Sequence, residues 1–309
     1  MTLLYTRFNN SNHQLHSTRQ LHSLTRRLFK LPIPPTAPSQ HHDLTSFLHY
    51  AQRQSLSPTT TTYIGTHYEY TVQEKLRAFS FDLTRTGGRD DLGIDLLGTF
   101  HPPSHEHPFR VLVQCKSLRT KLGPNLVREL EGTFARAPRG WGPGTDAIGI
   151  LVSPREATRG VRDALARSAS PILWLTMQRD GWLRQALWNA RAQQLGLGPL
   201  GVQVRYDSVD GGEMKSSVVL TWDGEDLMSM DQTEDMMLRV EEQWWQMWRE
   251  NEYKDGDDTS GYTHLQVLEA MEQLFPQEKP LLYGDSCSSL SREDRERVME
   301  WLRLRIDHN

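Results

Sequence analysis

The chain contains only two cysteines, Cys115 and Cys287, among its 309 residues. A disulfide framework and a cysteine-based structural zinc site are therefore excluded, and thiols so few and so far apart suit a reducing compartment. No apolar run reaches the roughly 18 residues that a membrane-spanning helix requires, and the mean hydropathy is -0.61. Acid is missing altogether from Met1 to His42, which carries five Lys/Arg. Neither a phosphate-binding glycine motif nor a nucleophile elbow occurs, which argues against the common small-molecule enzymes.

What is present is divided along the chain. The overall net charge of -4 combines the basic amino end with a middle, residues 43–220, at +4 and a tail, residues 221–309, at -13. Such a division predicts three parts: a targeting segment over 1–42, a folded domain with an extension over 43–220, and an acidic, mostly helical region over 221–309.

The amino end is rich in Arg, Ser, Thr and His, the composition of a mitochondrial presequence. At about 100° per residue, Leu21, Leu24 and Leu28 fall on one helical face and Arg19, Arg26 and Lys30 on the other. The prolines of Leu31 to Ser39 then break any helix. A mitochondrial location is the expectation.

Hydrophobic period organises the middle. Tyr68, Val72, Leu76 and Phe79 predict a helix over 66–79 capped by Thr66; 94–100 and 109–115 predict neighbouring antiparallel strands. A second helix is expected behind Pro124, followed by a strand over 147–152, a helix through Ala157, Val161 and Leu165, and a strand over 171–177. This order implies a mixed sheet with helices on both faces. Residues 182–195 read as a further helix, and 202–206 with 217–222 as a hairpin around Asp210, Gly211 and Gly212. In the tail, helices are expected through Trp244, Trp245 and Trp248, over 264–274 and over 292–305, with a linker over 251–261.

The chemistry concentrates between Thr86 and Lys116. Asp95 lies at the start of one expected strand, and Gln114 and Lys116 stand two apart on the next, so both project from one face. Opposed side chains on antiparallel neighbours have Cβ atoms about 4.5 to 5.5 Å apart, close enough to surround one ion and one water. Asp95 and Gln114 supply the oxygens that a hard cation such as Mg²⁺, or Mn²⁺, prefers. Lys116 supplies a compact ammonium to hold or deprotonate a water, or to offset charge on a phosphorane. Glu69, at the edge of the buried stripe of the first helix, is the candidate fourth member; Thr66-x-x-Glu69 is equally a capping box. Burying an acid, an amide and a lysine within a run as apolar as VLVQC costs stability unless each finds a partner, which favours a functional reading.

These residues resemble a known family. Tyr68-Glu69, Gly87-Gly88, Asp91-x-Gly93-Ile94-Asp95 and Gln114-Cys115-Lys116 are similar to the Mrr-type branch of the restriction-endonuclease-like, PD-(D/E)XK, superfamily, in which glutamine replaces the second acid. A closer resemblance, extending through Leu151-Val152-Ser153, residues 157–161 and residues 171–175, is to the fungal mitochondrial family called required for respiratory growth protein 7. The resemblance implies an α/β fold with a restriction-endonuclease-like core, a mixed central sheet flanked by helices in αβββαβ order. It further implies metal ligation by Asp95, Gln114 and the carbonyl of Cys115, a catalytic role for Lys116 with Glu69 at the helix-acid position, and nuclease activity. Asp90 departs from it, standing where many Mrr-like chains have glycine.

Weaker signals surround the site. Gly87 and Gly88 would let a phosphate backbone approach, and Arg85, Arg89, Arg119 and Lys121 could neutralise phosphates on either side. Arg155, Arg159, Arg162 and Arg167 are expected on the third helix as a solvated face. His101, His105 and His107 have no ordered backbone or cysteine to make a zinc site, and Cys115 points by alternation into the core. The sequence reads as a Mg²⁺-dependent phosphodiester hydrolase of nucleic acid, DNA foremost; the alternative is a catalytically silent protein of that fold that binds nucleic acid or assists mitochondrial assembly.

Overall fold

The structure is a computed structural model. It describes residues 31–35, 39–86, 93–103, 105, 108–118, 120, 122–142, 144–209, 213–255, 261–275 and 291–306. Residues 1–30 and 36–38 of the segment 1–42 read as a targeting sequence, and the turn at Asp210 to Gly212, lie outside these residues.

Two helices, α1 (Leu44–Arg53) and α2 (Thr61–Arg77), precede a sheet of six strands: β1 (Phe81–Arg85), β2 (Leu96–Phe100), β3 (Phe109–Cys115), β4 (Ala147–Ser153), β5 (Ile172–Met177) and β6 (Leu183–Trp188). They lie in sequence order across the sheet. Pairing is antiparallel from β1 to β3, parallel from β3 through β4 to β5, and antiparallel again to β6. Helix α3 (Asn125–Phe134) joins β3 to β4, and α4 (Arg159–Arg167) joins β4 to β5. The expectation of a mixed α/β fold with a central sheet and helices on both faces is met.

Alternation in the strands decides which helix covers which face. Val111, Val113, Ile148, Ile150, Leu173 and Leu175 form one core with Tyr68, Val72 and Leu76 of α2. On the opposite face Leu151, Ile172 and Trp174 pack with Leu126, Leu130, Val161 and Leu165 of α3 and α4. Strands β4 and β5 are buried on both faces throughout, which explains their unbroken apolar runs. The Tyr68 hydroxyl donates to the Met177 carbonyl at 2.7 Å, tying α2 to the end of β5.

Several expectations are corrected. Helix α2 begins at Thr61, because the Thr60 side chain accepts from the Tyr63 amide; Thr66 is inside the helix and caps nothing. A strand was missed at Phe81–Arg85, where Phe81 and Leu83 face the core in a run shortened by polar residues. Residues 182–195 are not one helix: Leu183–Trp188 is β6, followed by a helical turn and a π turn that ends at Leu197. Pairing with β5 overrode the helical period there. The hairpin forms as β7 (Leu200–Val209) and β8 (Glu213–Trp222), with the short β9 (Glu225–Asp226), but as a separate sheet. Leu200, Val218, Leu220 and Trp222 lay that sheet on the α2-side core.

In the tail, α5 (Met230–Asp255) runs into the expected linker, while α6 (His264–Leu274) and α7 (Arg292–Ile306) lie where expected. Trp248 is buried with Val267, Met271, Val298 and Leu302, so it serves a small helical core. Leu31 packs on Met230 at the start of α5.

Candidate functional site

The site is built where β2 begins and β3 ends. Asp95 immediately precedes β2; its amide donates to the Val113 carbonyl at 2.9 Å and its carbonyl accepts from the Thr86 amide at 2.9 Å. Continuing the register Leu96 to Val113 by one step sets Asp95 opposite Gln114. At this point the ladder changes character: the Cys115 amide donates to the Asp95 carboxylate, Oδ2, at 2.6 Å. The acid side chain thus locks the strand end and holds its own carboxylate at the rim of the sheet.

Gly93 makes the approach possible. Its φ of +82° suits glycine, and a Cβ there would come within 3.0 Å of Gln114 Nε2. Gln114 is only 3% exposed, and among the described residues its buried Oε1 has no hydrogen-bond partner. Buried amide oxygens rarely go unmatched, so this one calls for an explanation.

Lys116 follows on the same face as Gln114 by alternation. Its amide donates to the Val152 carbonyl at 2.8 Å, and its Nζ lies 3.6 Å from Glu129 Oε2 on α3. Cys115 takes the other face, against the α2-side core. Burial raises its thiol pKa well above the ordinary value, with the charges of Asp95 and Glu69 adding to the effect. It is an apolar filler, and a thiolate there is strongly disfavoured.

Glu69 is held elsewhere. Arg85 follows Leu83 on the α2 side of the sheet, and its Nε binds Glu69 Oε2 at 2.5 Å with both side chains largely buried. Burial opposes the charge on Arg85, but the carboxylate of Glu69, with smaller help from Tyr70 and Asp95, outweighs it and raises its pKa. The structure therefore brings Asp95, Gln114 and Lys116 onto one face and leaves Glu69 engaged by Arg85 on the α2 side of the sheet, where the charge of Asp95 still reaches Arg85.

The remaining positions separate clearly. Gly87, Gly88, Arg89, Asp90, Asp91, Arg119, Lys121 and His107 lie outside the described residues. His101 is buried with its Nε2 2.7 Å from the Thr99 hydroxyl, whereas His105 packs on Phe109, with ring centroids 4.3 Å apart. Arg155 precedes α4 rather than riding on it. Arg159 is 96% exposed and Arg162 reaches the Ala157 carbonyl.

Sequence reasoning missed Glu129. Its only signal was a position on the polar side of α3, which does not reveal that the helix crosses over the end of β3. It also missed Trp141, whose indole nitrogen donates to the Gly98 carbonyl at 3.0 Å beneath the site.

Among the described residues no three or more His, Cys, Asp or Glu side chains gather as a metal site. A cation here would rest on one carboxylate, Asp95, and the amide oxygen of Gln114. The unmatched Oε1 fits that role, since it is an oxygen of the kind hard cations select, beside a carboxylate in register.

Residues 60–107 and 101–206 match the family model described as Required for respiratory growth protein 7. These ranges contain every expected site residue and stop before the acidic tail. An uncharacterized mitochondrial protein of Schizosaccharomyces pombe is 36% identical over 156 residues, which are 49% of this chain. The chain spans 61% of that relative's length. The mitochondrial location expected from the amino end agrees with this relative, and the chain is placed in the mitochondrion. No solved structure matches. Among the described residues no helix is long and apolar enough to cross a membrane.

Proposed function

We propose that the protein is a metal-dependent phosphodiester hydrolase of mitochondria, acting on nucleic acid, with DNA as the leading substrate, and that it supports respiratory growth. The observation that carries this reading is the convergence of Asp95, Gln114 and Lys116 on one face of the sheet, with the Gln114 amide oxygen buried and unmatched. The run of elements from α2 to β4, in the order αβββαβ, supports a restriction-endonuclease-like core, and the name of the matched family supports the respiratory role.

Asp95 and Gln114 would hold Mg²⁺ or Mn²⁺, with the Cys115 carbonyl as a further oxygen. When bound, the ion would supply charge to polarise a phosphate and acidify a water. The chain's own part is to position. The Cys115 amide fixes the Asp95 carboxylate, and the fixed β3 end directs Lys116 beside it, where an ammonium can orient the attacking water and offset charge accumulating on phosphorus. Arg85, charged and held by Glu69, offers a cation at the same rim for a flanking phosphate.

The test is incubation of purified protein with plasmid and Mg²⁺ or Mn²⁺. Asp95→Asn, which keeps an acceptor for the Cys115 amide, and Lys116→Ala should abolish cleavage while melting stays close to wild type. Cleavage undiminished in either variant refutes the mechanism. One observation favours a second reading: Glu69 and Lys116 both already have ion-pair partners, as a catalytically silent, nucleic-acid-binding descendant of this fold would have. Retained low-salt binding without any cutting under either metal would select it.

A further inference from the structure

The ion pair between Lys116 and Glu129 has no place in the site as the sequence presented it. Lys116 immediately follows β3 and Glu129 is on α3, so the pair forms only once the helix has folded back over the strand end. Glu129 is itself oriented: the Asn125 side-chain amide, one turn earlier, donates to its Oε1 at 3.3 Å, leaving Oε2 for the lysine. The Lys116 side chain is 26% exposed and that of Glu129 is 49% exposed.

A pair this open contributes little to stability, typically less than about 1 kcal/mol. Its geometric effect is larger. A lysine has four side-chain torsions and about 2 kcal/mol of rotamer entropy, so a free Lys116 would spend much of its time away from Asp95. An ammonium has three donors, and one carboxylate oxygen at 3.6 Å can occupy only one of them. The others remain available to the face shared with Gln114.

From this arrangement we infer that Glu129 is a positioning residue for Lys116, with Asn125 as its anchor, and that the two hold the ammonium over the site before substrate arrives. The inference rests on the hydrolase reading above and adds to it a helix acid that touches neither phosphate nor metal ion. It also gives α3 a functional duty besides covering the sheet: its amino-terminal turns set the lysine, while Leu126 and Leu130 form the core.

The experiment compares Glu129→Gln and Glu129→Asp with wild type and Asp95→Asn in the full chain, using plasmid cleavage with Mg²⁺, kcat and KM determined separately, and thermal melting. Loss of the carboxylate in Glu129→Gln should lower kcat about tenfold or more, the usual scale for a supporting residue behind a site group. KM and melting should stay near wild type, and Glu129→Asp should recover most of the rate. Wild-type kcat in Glu129→Gln, an effect confined to KM, or equal loss in Gln and Asp variants would overturn the inference while leaving the hydrolase reading intact. Cleavage that persists in Asp95→Asn, or no cleavage by wild type, would overturn the hydrolase reading and this inference with it.

Discussion

Replacing Gln114 by Met tests the site without relying on turnover. Met has the same unbranched length and no amide, so it fills the same space without the unmatched oxygen. Gln114 is 3% exposed and among the described residues its Oε1 has no hydrogen-bond partner; an unsatisfied buried polar group costs about 1–3 kcal/mol. In metal-free buffer Gln114→Met should therefore be more stable by about that amount, raising the melting temperature about 2–4 °C per kcal/mol for a domain of this size. Urea unfolding at unchanged m value gives the free energy directly. Adding Mg²⁺ should reverse the relation. Wild type should gain about 2.7 kcal/mol at a hundredfold excess over Kd, and the variant should gain much less, because one of its ligand oxygens is gone. A variant less stable than wild type without metal would show that the amide is already satisfied by its surroundings, and equal gains from Mg²⁺ would remove Gln114 from the proposed ligand set.

The other predictions concern the frame and its pH response. A Cβ at Gly98 would overlap the Asp82 carbonyl oxygen, so Gly98→Ala must force β1 and β2 apart; it should cost about 3 kcal/mol by thermal melting. Gly132→Ala on α3, with nothing within 4 Å of the added carbon, is the control and should be neutral or stabilising by up to about 1 kcal/mol. His41 lies among Phe47, Tyr50 and Tyr70, with its Nδ1 2.7 Å from the Tyr70 hydroxyl. Burial first, then the charge of Arg85, lowers its pKa below 6.5. The unfolded chain then takes up the proton more readily, so stability is full above pH 6.5 and falls as the pH drops from there through the folded pKa. His41→Gln should flatten that part of the stability profile; an unchanged slope would refute the assignment.

Much of the molecule was legible in the amino-acid order because its cause is local. The unbroken apolar runs of β4 and β5 report strands buried on both faces, and the period of Tyr68, Val72 and Leu76 reports one buried helical stripe. Asp95, Gln114 and Lys116 were found because an alternation of two places residues in an already apolar strand on one face. The errors arose where tertiary partners outweighed local preference. Leu183–Trp188 has a helical pattern but is a strand because β5 offered an open edge, and Thr66 lost its capping role because the chain could start the helix at Thr60.

The sequence by itself determined the charge division, the mixed α/β class and the trio of polar residues at the adjoining ends of neighbouring strands, since each depends on composition or on periods of two and 3.6 residues. Only the tertiary structure decided who neutralises whom. That Arg85 holds Glu69 on the α2 side of the sheet, that Glu129 comes down from α3 onto Lys116, and that the Gln114 oxygen is unmatched among the described residues depend on distances between segments far apart along the chain. Electrostatic pairing falls off within a few ångströms, so no one-dimensional pattern carries that information.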